Sequence, residues 1–291
     1  MNFPIPAELE HFRSRLDGRA WLESLPRLVT AASDRWDLDV GRPYVGSHAS
    51  WVAPATRSDG TAAVLKVPFP HDEARHEATA LALWNGHGAV RLLEHDIESG
   101  DMVLERLVPG VHLSSIGNDP AIAVYLELLP RLWVSPAGPF DTVADEAARW
   151  ARSLRKRWES SGRLYDERLL GAAILYLSEA ASAPDSSRVL VHQDMHADNI
   201  VSARREPWLA IDPKPLSGPR EFAIAPIVRS TELGHSRSLV LRRFDRLVEG
   251  LSLDGAQARA WTIGHAVAWG TGSTDVVASH IETATWLLDL R

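Results

Sequence analysis

The sequence predicts a two-lobed α+β protein, with a small sheet-bearing N-terminal lobe (1–107) and a larger, mostly helical C-terminal lobe (108–291). Three observations carry that expectation. Residues 43–107 alternate short β-like runs with turn residues around one helical stretch, reading β-β-β-α-β-β. Beyond Pro109 the apolar spacing becomes mostly helical, interrupted only around 188–212. A chain of 291 residues, 45% hydrophobic and 24% charged, holds enough apolar material for two lobes.

Taken in order, residues 7–36 read as two short amphipathic helices broken near Gly18. YVGSHASWVAPA and TAAVLKV are β-like runs separated by the turn Ser58–Thr61. A helix then runs from about His71 to the glycines at 86 and 88, and the strands AVRLLEH and DMVLERL follow. The hinge between lobes is expected near 105–109, and a cleft between lobes is a natural ligand site. Helices are expected near 119–133, 142–159 and 164–182, with SPAGPF (135–140) and SAPDSS (182–187) as loops. RVLVH is a short buried strand; NIVSA and PWLAID are two more around the turn Arg204–Pro207. The rest reads as helices at about 222–234, 237–250, 254–270 and 274–289.

Composition narrows the function classes. The net charge is −7, with acid and base spread along the chain and no basic patch of the kind a nucleic-acid binder carries. There is no cysteine, which removes disulfides, thiolate metal sites and a cysteine nucleophile. The N-terminus is polar and no apolar run approaches the roughly 20 residues of a membrane span. The expectation is a cytoplasmic protein without nucleic-acid, membrane or protein partner. Only Lys66, Lys156 and Lys214 are lysines among 31 basic residues, so a lysine's position here is informative.

The densest stretch is VHQDMHADNI (191–200). His192 and His196 are four apart, the spacing of paired zinc ligands on a helix. The β-branched run before them predicts strand, loop, strand instead, and no third ligand stands at metal-site spacing. The same letters read H-x-D-x-x-x-x-N, the spacing of a phosphotransferase catalytic loop. That chemistry needs a carboxylate to orient the attacking hydroxyl and accept its proton (Asp194), and a side-chain oxygen five residues on for Mg2+ (Asn199). It needs a second metal carboxylate after another strand (Asp212 in LAIDPK) and a lysine on a strand for the α/β-phosphates of ATP (Lys66 in AVLKV). Finally it needs a glutamate on the next helix to hold that lysine, and Glu77 lies eleven residues on. Each residue alone has an ordinary reading as a surface charge, a turn or a loop cap. Five in the required order, on the expected elements, favour the catalytic reading.

VHQDMHADNI followed by WLAIDPK resembles the aminoglycoside phosphotransferase superfamily of protein-kinase-like small-molecule kinases. More narrowly it is similar to the streptomycin 6-phosphotransferase / hydroxyurea phosphotransferase branch, in which the metal aspartate sits in Asp-Pro. The similarity extends to AWLESLP (20–26), DGTAAVLKV, WNGHGAVRLLEHD (84–96) and MVLERLVPG (102–110). The resemblance implies a bilobal protein-kinase-like fold, with Asp194 as catalytic base or orienting residue and Asn199 and Asp212 on magnesium. It further implies Lys66 on ATP, positioned by Glu77, with Glu105 and Leu107 offering main-chain hydrogen bonds to adenine. The loop GSHAS (46–50), through Ser47 and backbone amides, would cover the phosphates; an ordinary hairpin turn is its other reading.

Three positions depart from the family's pattern. Ala223 in GPREFAIAP stands where a carboxylate braces the catalytic loop, Pro215 replaces a glycine after Asp-Pro-Lys, and Arg229-Ser230 stands where the family has Arg-Asn. The expected acceptor is a hydroxyl-bearing small molecule such as a cationic aminocyclitol of the streptomycin type. Glu232, Asp245, Glu249, Asp275 and Glu282 are available acidic groups. Trp261, His265 and Trp269 share one helix face and read as core rather than as a sugar-stacking platform. Two other readings stay open: a kinase of another hydroxyl-bearing metabolite, and a nucleotide-binding but catalytically silent fold in which Ala223 and Pro215 matter.

Overall fold

The computed structural model describes residues 3–70, 75–182 and 188–290. The chain divides into two compact units, Met1–Val108 and Pro109–Arg291.

The first unit is built on a five-stranded antiparallel sheet in the order β1-β2-β3-β5-β4. Its strands are β1 (Leu38–Val40), β2 (Ser50–Arg57), β3 (Ala62–Pro68), β4 (Leu92–His95) and β5 (Met102–Glu105). The two-residue period of β2 and β3 sends Trp51, Ala53, Ala55, Leu65 and Val67 to one face. The register pairs Trp51 with Val67 and Ala53 with Leu65, so the side chains meet directly across the strands. Helix α1 (Leu16–Trp36) covers that face with Trp21, Leu22, Leu25, Val29 and Ala32, joined by Phe3, Phe12 and Phe69. Lys66, one residue out of phase, is therefore on the opposite face, where α2 (Glu77–Trp84) packs.

Two expectations shift here. The N-terminal break falls at Arg15, between a 3-10 helix (Ala7–Ser14) and α1, whereas Gly18 lies inside α1. The reason is packing: a Cβ at Gly18 would stand 2.4 Å from the Phe12 carbonyl oxygen. Gly18→Ala is expected to destabilise the protein by about 1–3 kcal/mol by overpacking this junction, read as a lower urea midpoint with an unchanged m-value. Helix α2 begins at Glu77, and the expected start at His71 lies outside the described residues. The first strand of the sheet is the short β1, ahead of YVGSHAS, which forms bends up to Ser50.

The second unit is mostly helical: α3 (Asn118–Leu132), α4 (Val143–Ser160), α5 (Glu167–Ser182), α6 (Ala225–Arg229), α7 (Arg237–Gly250), α8 (Gly255–Gly270) and α9 (Ala278–Leu288). Thr142, Ser236 and Asp254 cap α4, α7 and α8 by accepting backbone N–H bonds at their N-termini. The helix expected over 222–234 is instead a 3-10 turn (Arg220–Ile224) running into the short α6, which stops at Arg229. The loop expected at 182–187 lies almost wholly outside the described residues. Two small sheets interrupt the helices. Strands β6 (Pro109–His112), β8 (Ile200–Ala203) and β9 (Trp208–Ala210) form one, in the order β6-β8-β9. Strands β7 (Val189–His192) and β10 (Pro215–Gly218) form the other.

This pairing positions the site. The loop 193–199 joins β7 to β8, and the segment 211–214 joins β9 to β10. Because Pro215 pairs with His192 and Ile200 with Ala210, the two segments leave their sheets side by side. No helix among the described residues is long and apolar enough to cross a membrane.

Candidate active site

The loop after β7 is fixed before its side chains act. His192 is buried; its Nδ1 accepts from the Asp194 N–H at 3.1 Å and its Nε2 faces the Ile211 carbonyl at 3.2 Å. Both ring nitrogens are thereby used inside the protein, which removes His192 as a zinc ligand. Gln193 N–H donates to the Lys214 carbonyl at 3.0 Å, and the Asn199 side-chain amide donates to the Asp194 carbonyl at 2.9 Å. The Tyr125 hydroxyl donates to the Met195 carbonyl at 3.3 Å. The loop backbone is thus held by bonds to His192, Asn199, Tyr125 and the segment just before β10. Ala223 itself is buried in the core.

Burial pushes His192 down to about 4, so it is neutral at neutral pH; His280 is also at about 4, by burial and then by the neighbouring Arg229. In the unfolded chain both titrate near 6.5, so the unfolded state binds more protons between the two values and stability falls as pH drops through that window. For His192 the loss reaches about 3 kcal/mol by pH 4. Urea midpoints should fall from pH 7.5 to pH 5, and His280→Gln should remove part of that slope.

Asp194 is the centre of the constellation. Its Oδ1 accepts from Arg229 Nη2 and its Oδ2 from Lys214 Nζ, each at 3.1 Å. Burial alone would raise its pKa, but Lys214, His196 and Arg229 outweigh it and hold the carboxyl below the usual carboxylate range. Trp269 lies under both cations, with the Arg229 guanidinium 4.5 Å and the Lys214 ammonium 5.1 Å from its ring centroid. The helix face expected to be core therefore divides. Trp261 and His265 pack on Phe222, while Trp269 serves as a platform for the two cations.

Asn199 and Asp212 flank the β8–β9 hairpin. The Ile211 N–H donates to the Asn199 carbonyl at 2.9 Å, and Asp212 follows in a left-handed conformation with φ of 51°. The amide group of Asn199 is turned to the Asp194 carbonyl, which directs its carbonyl oxygen the other way. An amide oxygen and a carboxylate are the hard donors that magnesium takes, so these residues fit that ion.

His196 Nδ1 lies 3.7 Å from Glu232 Oε1, and His196, Asp198 and Glu232 bring their polar atoms within 4.8 Å of one another. Asp198 also accepts from the Ser114 hydroxyl. Of the other acidic candidates, Glu282 pairs with His235 at 2.8 Å.

In the first unit, Lys66 Nζ donates to both carboxylate oxygens of Glu77, at 2.6 and 2.7 Å, with side chains only 5% and 3% exposed. Glu77 is the first residue of α2, where the helix N-terminus favours a negative charge. Glu105 ends β5; its Oε1 accepts from the Arg91 N–H at 2.8 Å and Leu107 follows outside the ladder. Ser47 is half-buried in the bend after Gly46, whose φ of 93° suits glycine.

Sequence reasoning missed Lys214 and Arg229 as partners of Asp194. The one signal was the scarcity of lysine, which marked Lys214 as worth attention.

Comparison with known proteins agrees with the fold and gives the family. A family profile described as aminoglycoside/hydroxyurea antibiotic resistance kinase matches residues 35–276. A streptomycin 6-kinase from Streptomyces glaucescens is 39% identical over 255 residues, covering 85% of this chain and 82% of that protein. A hydroxyurea phosphotransferase from Kitasatospora aureofaciens is 39% identical over 276 residues, covering 90% and 78%. Among solved structures, an aminoglycoside phosphotransferase in a ternary complex with ADP and hygromycin B superposes with a TM-score of 0.58 at 14% identity, covering 89% of this chain and 94% of that one. A choline kinase from Streptococcus pneumoniae gives a TM-score of 0.61 at 12% identity, covering 91% and 97%. The fold is kinase-like, with an antiparallel N-terminal sheet and a mostly helical remainder, and the chain belongs to the aminoglycoside/hydroxyurea antibiotic resistance kinase family.

Proposed function

We propose that the protein transfers the γ-phosphoryl group of ATP to a hydroxyl of a streptomycin-like aminocyclitol. The observation that carries this reading is the ionised Asp194, 13% exposed, on a loop tied to Asn199 and running beside the segment that carries Asp212. In the proposed reaction the acceptor oxygen forms a bond to the γ-phosphorus and the bond to the bridging oxygen breaks. ADP leaves with that electron pair, and the hydroxyl proton passes through Asp194 to solvent. Asp194 orients the hydroxyl and takes its proton late, since a carboxylate already held by two cations is a weak base. Lys66, fixed by Glu77, holds the α/β-phosphates. Glu105, Leu107 and the Ser47 loop complete nucleotide binding. Asn199 and Asp212 would hold magnesium, which would supply neutralisation of phosphate charge when bound. Residues 1–107 thereby serve the nucleotide, and residues 108–291 the catalytic loop and acceptor.

The acceptor class rests on two supports. The relatives at 39% identity include a streptomycin 6-kinase, and Glu232 and Asp198 stand close to His196 on the catalytic loop, an acidic surrounding suited to a cationic acceptor. The hydroxyurea phosphotransferase relative keeps a second acceptor in view.

A coupled ADP-release assay with magnesium and ATP tests the reading, with streptomycin, hydroxyurea and choline as alternative acceptors. Streptomycin-dependent ADP release is the expected result. Release with hydroxyurea alone would reassign the acceptor. No acceptor-dependent release, with Mg-ATP still raising the melting temperature, would favour a silent nucleotide-binding fold.

A further inference from the structure

Asp194 has two oxygens and two cations, and the cations are not equivalent. The Arg229 side chain is 7% exposed and uses three donors on three partners. Its Nε donates to His265 Nδ1 at 3.2 Å, its Nη1 to His280 Nε2 at 3.0 Å and its Nη2 to Asp194 Oδ1 at 3.1 Å. Its planar face lies on Trp269. These partners come from α8, α9 and the catalytic loop, so the guanidinium has a single orientation available. Lys214 is 20% exposed and ends in a point charge on a flexible stem. Its carbonyl accepts from the Gln193 N–H at 3.0 Å, and its ammonium reaches Asp194 Oδ2, to which His196 Nε2 also comes within 3.9 Å.

We propose that Arg229 is a positioning residue for phosphoryl transfer: it locks the plane of the Asp194 carboxylate through Oδ1 and leaves Oδ2, which Lys214 covers, as the oxygen that turns to the acceptor hydroxyl. This rests on the kinase reading above. A rigid fork is suited to the permanent contact, because it fixes both distance and plane. A lysine is suited to the contact that must open, because its ammonium can move aside and still remain near the reacting oxygen. His265 and His280 act on the other side of the fork. Both accept from Arg229, which requires neutral imidazoles with those nitrogens unprotonated.

The test uses the full chain with Arg229→Met, Arg229→Lys and Arg229→Ala, reading kcat and KM separately for ATP and streptomycin. Arg229→Met is expected to lower kcat by about a hundredfold, the scale of a misplaced catalytic group, with KM for ATP within about threefold. Arg229→Lys restores little, since an ammonium cannot replace the fork. Free guanidinium at millimolar concentration restores part of the Arg229→Ala loss, which a merely structural role would not allow. A kcat of Arg229→Met within about twofold of a working wild-type chain overturns the inference and leaves the kinase reading standing. Should the Arg229 variants fail to fold, His280→Gln decides, because it frees one side of the fork without stranding a buried charge. A fall in kcat at unchanged KM supports the inference, and an unchanged kcat overturns it. A wild-type chain that turns over no acceptor at all overturns the kinase reading, and the inference with it.

Discussion

Asp194→Asn is expected to lower kcat for acceptor phosphorylation by at least about a thousandfold while leaving the Mg-ATP shift in melting temperature in place. The substitution keeps the size of the side chain and removes its charge. The loop backbone should survive, because its bonds run through His192, Asn199 and Tyr125 rather than through the Asp194 carboxylate. What is lost is the acceptor for the hydroxyl proton and the counter-ion of two cations. Arg229, almost wholly buried, would keep its bonds to His265 and His280 and its place on Trp269 but lose its neutralising partner. Uncompensated buried charge costs about 3–5 kcal/mol, so the same variant should also unfold at lower urea. Steady-state kinetics and a denaturation curve read the two effects separately.

The Lys66–Glu77 pair gives the second large effect, and here stability and function can be pulled apart. Both side chains are nearly inaccessible, and the ammonium sits between the two carboxylate oxygens at 2.6 and 2.7 Å. Glu77→Leu alone removes one member of a buried, hydrogen-bonded ion pair and should cost about 3–5 kcal/mol. Lys66→Met alone removes the other member of the pair at a similar cost. The double variant Lys66→Met/Glu77→Leu replaces the pair with apolar groups of similar volume, which is often neutral or stabilising. It should regain most of the lost stability. It should not regain nucleotide binding, because no ammonium remains for the phosphates. Urea midpoints and Mg-ATP titration of the four chains check this. Recovery of nucleotide affinity in the double variant would show that Lys66 does not touch ATP.

The contrast between what was and was not legible in the sequence follows the range of the contacts. Lys66 opposite α2 was readable, because the strand's two-residue period and the following helix place both residues locally. Asp194 and Asn199 were readable because one short loop sets their spacing. Lys214 and Arg229 were not, since their reach to Asp194 depends on the β7–β10 register and on where the short α6 stops. Pro215 reads differently once that register is known. It opens β10, where a proline is tolerated, and it restrains Lys214 toward the extended backbone. Gly18 looked like a helix break and is instead a contact point, a distinction that depends on Phe12 passing across it. The absence of a bracing carboxylate at Ala223 has the same limit. A missing carboxylate is visible in the sequence, but the bonds that hold the loop from Tyr125 and Lys214 are not.

The most direct test of the central claim is to follow the γ-phosphate itself. The chain is incubated with magnesium, γ-labelled ATP and streptomycin, and the products are separated and weighed by mass spectrometry, with Asp194→Asn run alongside. The account predicts one labelled phosphate on a streptomycin hydroxyl in the wild-type reaction and none with the variant. Label that remains in ATP, or appears only as inorganic phosphate, would contradict phosphoryl transfer to this acceptor. Equal labelling by the variant would contradict the role given to Asp194.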